Sequence, residues 1–400
     1  MIILPTMPKA AISFDGPRAG PGGSLPSWAL SFQPEFAVPA KVSDELPEFY
    51  VYGHELYARK GRVEQPLRLR GVSWFGFEGR GAIVDGLFAR PLRWFTAQFR
   101  QLGVNAIRVP LAVDNVILDP PPLTSAWQDP DAAKARSSLD VLRQLVRAAA
   151  VDGLLVLLDM HRLVAEIWPD PRGLWYSELV PEAALHAAWA VLAQSFCSEP
   201  NVLGADLLNE PWGAEWADWA AAAGRLATTV LRLCPRWVVF VEGVGAPSRP
   251  SQYFWGENLE GVRHSPVPML IPNKIVYSPH LYAPSLRTAS SAAAGELSFF
   301  DSPDFPRNLD SLFTKRWGFV TQGHHGSVCV GEWGGRSNDP RDREWAETLL
   351  LYMAKHAPAG GFLWSVNTND GHTGGLLLDW RTPDPVKVAW LHQLPNISIF

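Results

Sequence analysis

Four hundred residues, 47% of them hydrophobic, supply enough apolar side chain for one large domain or two ordinary ones. Thirty-five basic residues against 40 acidic ones, a net charge of −5 and no long run of one sign exclude the footprint of a nucleic-acid binder and point to a neutral partner. No uninterrupted apolar stretch is long enough to span a bilayer, and Pro5 and Pro8 break the opening MIILPTMPKAAISFDGP, which has no basic start, so no signal peptide is read there.

Residues 1–47 hold eight prolines and four glycines without helical or strand period. They are expected to form an extended or disordered arm ahead of a catalytic domain over residues 48–400. The segment EFYVYGHELYARKGRVEQPLRLRG then alternates around a turn at Lys60-Gly61, which predicts a hairpin capping the bottom of the domain.

From there one unit repeats. Eight β-rich runs appear at LRLRGVSWF, VNAIRVPL, GLLVLLDMH, VLGADLLNE, WVVFVEG, KIVYSPHLY, SVCVGEW and GGFLWSVN. Helical patterns lie between most of them: PLRWFTAQFRQLG, SSLDVLRQLVRAAAVDG, EAALHAAWAVLAQSFC, EWADWAAAAGRLATTVLRL, LDSLFTKRWGFVTQ and DREWAETLLLYMAKHA, closed by VKVAWLHQL. The fifth connection, SRPSQYFWGENLEGV, supports at most a short helix. Strands alternating with helices in this way predict an α/β fold, a (β/α)8 TIM barrel. An open doubly wound sheet is disfavoured because no Gly-rich phosphate turn comes after the first strand.

Such a barrel presents its reactive residues at the C-terminal strand ends. Those ends carry Arg108 on the second strand, Asp159 and His161 on the third, Asn209 and Glu210 on the fourth, His280 and Tyr282 on the sixth, Glu332 on the seventh and Trp364 on the eighth. GADLLNEPWG (Gly204 to Gly213) closes an apolar run on an amide and a carboxylate, a costly choice unless the charge is paired or used. Glu210 and Glu332 would meet across the barrel mouth, the arrangement that cleaves a glycosidic bond, and a separation of roughly 5 to 5.5 Å would give retention of configuration.

Each residue alone has a plainer reading. A strand-end glutamate is more often a surface ion-pair partner, His161 or His280 a hydrogen-bonded core histidine, Arg108 a partner of Glu55 or another carboxylate, and Trp364 a closing plug. Joint occurrence on five strand ends favours a site. A metal hydrolase built on Asp159, His161 and His280 lacks the closely spaced histidine pair such sites use.

Eighteen tryptophans exceed what a core needs; most are expected as filler and the rest facing a ligand. Cys197, Cys234 and Cys329 are odd in number, far apart and set among apolar residues, so they are read as buried free thiols.

From about Val51 to its end the chain resembles glycoside hydrolase family 5, the cellulase family, and within it the bacterial-type endo-β-1,4-glucanases. The likeness lies in GVSWFGFEG, GVNAIRVPL, LLDMHR, LLNEPWG, FVEGV, YFWGENLEGV, VYSPHLY, GEWGG and LWSVNTNDGHTGGLL, in that order. The resemblance implies retaining endo-hydrolysis of β-1,4-glucosidic bonds in cellulose or a related β-glucan, by a monomer without metal or organic cofactor. It implies Glu210 as acid/base, Glu332 as nucleophile, Asn209 on the sugar 2-hydroxyl, and Arg108 with Tyr282 holding Glu332 ionised. His161 and His280 would bind sugar hydroxyls or support Glu210 and Tyr282. Trp364 would stack on the sugar beside the cut, with Trp74 and Trp255 further along the cleft.

Asp159-Met160-His161, Trp212 and His372 depart from the family pattern and bear on subsite preference. The rival readings are a retaining hydrolase of mannan, mixed-linkage glucan or a glycolipid head group, and a non-catalytic carbohydrate-binding barrel. Family members usually work outside the cell.

Overall fold

The computed structural model describes residues 24–34, 45–123, 128–129, 132–245 and 252–400. Residues 1–23 and 35–44 of the proline-rich arm therefore lie outside the described residues. Within the arm, α1 (Ser27–Leu30) is a single helical turn whose Ala29 is buried, so this stretch is folded onto the domain and is not extended.

Three antiparallel strands come next: β1 (Glu48–Tyr52), β2 (Glu55–Lys60) and β3 (Val63–Pro66). The expected turn at Gly61 joins β2 to β3, and a second turn at Gly53 adds one strand to the hairpin. Alternation puts Phe49, Val51, Leu56 and Ala58 on one face, packed on Leu155, Leu203, Val238 and Phe362 inside the barrel. The Phe49 and Val51 amides donate to the carbonyls of Arg236 and Asn273, just ahead of two barrel strands, so this sheet closes the lower end.

The barrel strands are β4 (Leu69–Ser73), β5 (Ala106–Ala112), β6 (Leu155–Arg162), β7 (Val202–Asp206), β8 (Val238–Val241), β9 (Ile275–Tyr277), β10 (His280–Tyr282), β11 (Ser327–Gly334) and β12 (Gly360–Leu363). Neighbours pair in parallel, β12 returns to β4, and β11 pairs with both β9 and β10, which closes the ring. The predicted eight-strand barrel is present; its sixth strand is split at Ser278-Pro279, where proline has no N–H for the ladder. The strands are buried on both faces, which is why they read as continuous apolar runs.

Outside the barrel lie α2 (Leu92–Gln101), α3 (Val113–Leu118), α4 (Ser138–Val151), α5 (Glu182–Phe196), α6 (Trp216–Leu233), α7 (Ala289–Ala293), α8 (Leu309–Phe313), α9 (Phe319–Gln322), α10 (Pro340–His356) and α11 (Pro385–Gln393). Caps set several boundaries. Ser137 accepts the Asp140 amide at the start of α4, and Asp339 accepts two amides at the start of α10, ahead of Pro340. The fifth connection carries only a short 3-10 turn at Glu260–Arg263, and its residues 246–251 lie outside the described residues.

One cysteine expectation is corrected. Cys197 and Cys234 are joined in a disulfide, 37 residues apart, and only Cys329 is free and buried. They sit at the C-terminal ends of α5 and α6, and the side-by-side packing of these two helices brings the ends together. Neither cysteine's local sequence carries that information.

Candidate active site

Arg108 points inward from β5 and is fully buried. Its Nε donates to Asp206 at 2.9 Å, Nη1 to Glu332 at 2.5 Å, and Nη2 to Asn209 at 3.0 Å and Glu242 at 3.1 Å. Asp159 is a further partner at 3.1 Å. A guanidinium offers a rigid fork of donors and can organise several carboxylates at once. Burial would strip its proton, but Asp159, Glu332, Asp206 and Glu242 outweigh that and raise it well above its ordinary value. Glu55, the alternative partner, is engaged by Arg68 at 2.7 Å.

Glu332 stands on β11 beside this cation. The Tyr282 hydroxyl donates to its second oxygen. Burial pushes the Glu332 carboxyl up, yet the positive charges of His280 and Arg108 overcome it and leave Glu332 below the usual glutamate range.

Glu210 lies just past β7 with a left-handed φ of 47°. Its amide donates to Glu242 at 2.7 Å, and its carboxylate lies 3.0 Å from His280 Nδ1. Burial raises Glu210 above the ordinary value, and the nearby charge of Glu332 adds to this. One carboxylate oxygen of Glu210 and one of Glu332 lie within 4.8 Å of each other. The neighbouring Asn209 is buried, accepts from Arg108, and leaves Nδ2 without a protein acceptor.

The two histidines behave oppositely. His280 faces Glu210 with one nitrogen and Glu242 with the other, at 3.0 and 3.2 Å, and these charges with Glu332 lift it well above its usual value against its burial. His161 hydrogen-bonds Asp159 at 2.7 Å, and burial drives it well below, so it stays neutral. Asp159 itself is pushed up by burial to about 7.

Two groups, Asp206 with Glu242 and His280, and Glu210 with His280 and Glu332, have ligand atoms close enough for an ion. Their oxygens already face the Arg108 guanidinium or the His280 ring, which would repel a further cation. The set Asp159, His161 and His280 does not converge in this way.

A cleft of about 710 Å³ crosses this mouth. Trp364, half-buried, lies near-parallel to Phe75 with ring centroids 5.6 Å apart and to His161 at 5.3 Å, and Trp168 lies near-parallel to His161 at 5.2 Å. Trp255 lines the cleft and stacks on Trp212 at 5.2 Å, and His372, in the loop after β12, lines it as well. Trp74 does not line it. Its indole is fully buried against Phe95 and Phe99 of α2, and its N–H donates to the Asp85 carbonyl at 2.9 Å. Successive residues of an extended chain point to opposite sides, so Phe75 takes the cleft position expected for Trp74.

Sequence reasoning also missed Glu242 and Asp206. Glu242 was legible, because it ends the fifth strand in FVEGV at a position equivalent to the other strand-end acids. Asp206, the last residue of β7, stands among apolar residues with nothing local to single it out, and only the fold shows its pairing with Arg108.

A sequence model described as cellulase, glycosyl hydrolase family 5, matches residues 65–370. An endoglucanase of Paenibacillus polymyxa is 33% identical over 371 residues, 88% of each chain. The major extracellular endoglucanase of Xanthomonas campestris pv. campestris is 32% identical over 351 residues, 84% of this chain and 68% of that one. The hyperthermophilic endocellulase of the archaeon Pyrococcus horikoshii superposes with a TM-score of 0.79 at 31% identity, covering 88% of this chain and 99% of that one. A complex of that enzyme with cellotetraose superposes at 0.77 with 33% identity, covering 87% and 98%.

Proposed function

Since the chain belongs to the cellulase family, glycosyl hydrolase family 5, we propose a retaining endo-hydrolase of β-1,4-glucosidic bonds, acting on cellulose or a related β-glucan, with Glu210 as acid/base and Glu332 as nucleophile. The observation that carries the assignment is the approach of the two carboxylates to within 4.8 Å. So close an approach of two oxygens fits the roughly 5–5.5 Å carboxyl spacing of retaining enzymes better than the roughly 6.5–9.5 Å of inverting ones.

The electrostatics support the division of roles. Glu332, below the usual range, is ionised and aimed by Arg108 and Tyr282, so it can attack the anomeric carbon. Glu210, above the usual range, keeps its proton for the leaving oxygen. Once Glu332 is esterified its negative charge is gone, which removes one cause of the raised Glu210 value. Glu210 then releases its proton readily and acts as base toward the incoming water. Asn209 Nδ2 is free to donate to the sugar 2-hydroxyl, a bond that strengthens as the oxocarbenium-like transition state forms. Trp364, Phe75 and Trp255 offer faces to the C–H sides of glucose rings.

The enzyme acts on its polymer outside the cell as a monomer, and neither nucleic acid nor a membrane is its partner. The Cys197–Cys234 disulfide supports an oxidising compartment. Among the described residues no helix is long and apolar enough to cross a membrane.

Inactivation with a 2-fluoro-cellobiosyl donor followed by peptide mass analysis tests the mechanism, with the label expected on Glu332. A label on another residue would overturn the role assignment. Reducing-end release from carboxymethylcellulose, mannan and xylan ranks the substrates, with the cellulose derivative expected first.

A further inference from the structure

A second cavity of about 320 Å³ opens beside the cleft. The main cleft is walled at one end by loops after β4 and β12, with Phe75 and Asn369, and at the other by loops after β8 and β10, with Trp255 and Leu297. In the ring order of strands those ends lie on opposite sides of the barrel mouth, so a straight β-1,4-linked chain runs between them. The second cavity belongs to the β6 and β7 loops alone, on the flank of that line. It shares His161, Arg162, Trp168 and Glu210 with the cleft, so it opens at the acid/base residue.

An extended, unbranched glucan running along the cleft would leave this flank empty. We propose that the side pocket receives a pendant sugar of a branched β-1,4-glucan, carried on a backbone ring next to the scissile bond. This rests on the endo-glucanase reading and narrows its substrate class to decorated chains.

Size, lining and rigidity agree with that occupant. A volume near the lower bound of small-ligand sites, roughly 300 Å³, suits one ring better than a continuing chain. Leu163, Leu174 and Trp212 give apolar surface for the C–H face of a sugar, and Asp170, Arg172 and Glu178 put polar groups around it for hydroxyls. The loop that builds the wall is tied down. The Ala165 amide donates to buried Asp114 at 3.1 Å, and the Gly213 amide donates to the Gly173 carbonyl at 2.9 Å. Gly173 has a φ of +59°, and a Cβ there would lie 2.4 Å from the Trp212 ring, so only glycine lets the loop close on the end of the fourth barrel strand. A pocket held this way is formed before the ligand arrives and costs little ordering on binding.

The test compares the full-length enzyme on two oligosaccharides with a cellohexaose backbone, one unbranched and one carrying a single α-xylosyl branch, with products mapped by mass spectrometry. The branched substrate is expected to be cut beside its branch with kcat/KM at least equal to that of the unbranched one. Leu179→Trp, at an exposed position on the pocket wall, should lower the branched value by about tenfold and leave the unbranched value within about twofold. Glu178→Trp, also exposed, should repeat that selectivity and guards against one variant misfolding. Cleavage that avoids the bonds beside the branch, equal losses on both substrates, or no selective loss in either variant overturns the pocket. Hydrolysis of the branched substrate alone keeps the pocket and overturns the preference for plain glucan; failure of the unaltered enzyme on both overturns both readings.

Discussion

The Glu242 carboxylate accepts the backbone N–H of Glu210 at 2.7 Å, while Glu210 holds a left-handed φ of 47°. That conformation costs a side-chain-bearing residue about 1–2 kcal/mol, and the hydrogen bond accepted by the buried Glu242 side chain offsets part of it. Together they turn the Glu210 side chain into the barrel mouth. Glu242→Ala is expected to lower kcat/KM by about a hundredfold through misplacement of the acid, and Glu242→Gln, which keeps an acceptor, by less. Steady-state kinetics beside a melting curve separate this from simple unfolding. An alanine variant with normal kinetics would remove Glu242 from the positioning role.

Glu210 and Glu332, the proposed acid/base and nucleophile, should fail differently. Glu332→Gln is expected to lose about four orders of magnitude or more on every substrate, because no group remains to form the glycosyl-enzyme. Glu210→Ala should lose most on cellulose but retain rapid glycosylation by a dinitrophenyl cellobioside, whose leaving group needs no proton. A pre-steady-state burst with the aryl substrate is the measurement, and a burst in the Glu332 variant would reverse the assignment.

The activity profile against pH should be a bell. Activity disappears on the acid side as Glu332 takes up a proton, below the usual glutamate value because its pKa is lowered. It disappears on the alkaline side as Glu210 loses its proton, above the usual value because its pKa is raised. His280 lowers both groups, so His280→Asn should move both limbs to higher pH in a kcat/KM profile. A profile that keeps its limbs in place would show that His280 does not set these charges.

Reduction of the Cys197–Cys234 bond should lower thermal stability without altering the site. Closing a loop with a sequence separation of 37 removes unfolded-state freedom worth up to roughly 4 kcal/mol. Differential scanning calorimetry with and without reductant, or on Cys234→Ala, should register a fall of several degrees with unchanged KM. An unaltered transition temperature would mean the bond contributes nothing to the folded state.

Two tryptophans should separate core from cleft. Trp74→Ala leaves a large void between β4 and α2 and is expected to cost about 3–5 kcal/mol of stability. Trp255→Ala, at the half-buried cleft wall, should mainly raise KM on long substrates. Paired denaturation and kinetic measurements check this, and a KM effect from Trp74 with unchanged stability would restore it to the cleft.

Much of this site was legible because a barrel turns chain order into geometry. Apolar runs separated by helical periods define the strands, and whatever polar residue ends a strand must stand on the common rim. Glu210, Glu332, Arg108, Asn209, His280 and Tyr282 were found that way, and Glu242 could have been. The family likeness added the roles.

The amino-acid order by itself determined the alternation of strands and helices, the rim on which the acids stand, and the surplus of aromatic rings, because each depends on spacing within one element. Tertiary packing decided that Phe75 rather than Trp74 faces the cleft, that Cys197 meets Cys234, that His280 sits between Glu210 and Glu242, and that a side pocket opens at the acid. Those relations are distances between elements far apart along the chain, settled by how helices and loops lie against the closed sheet. Local periodicity carries no term for them.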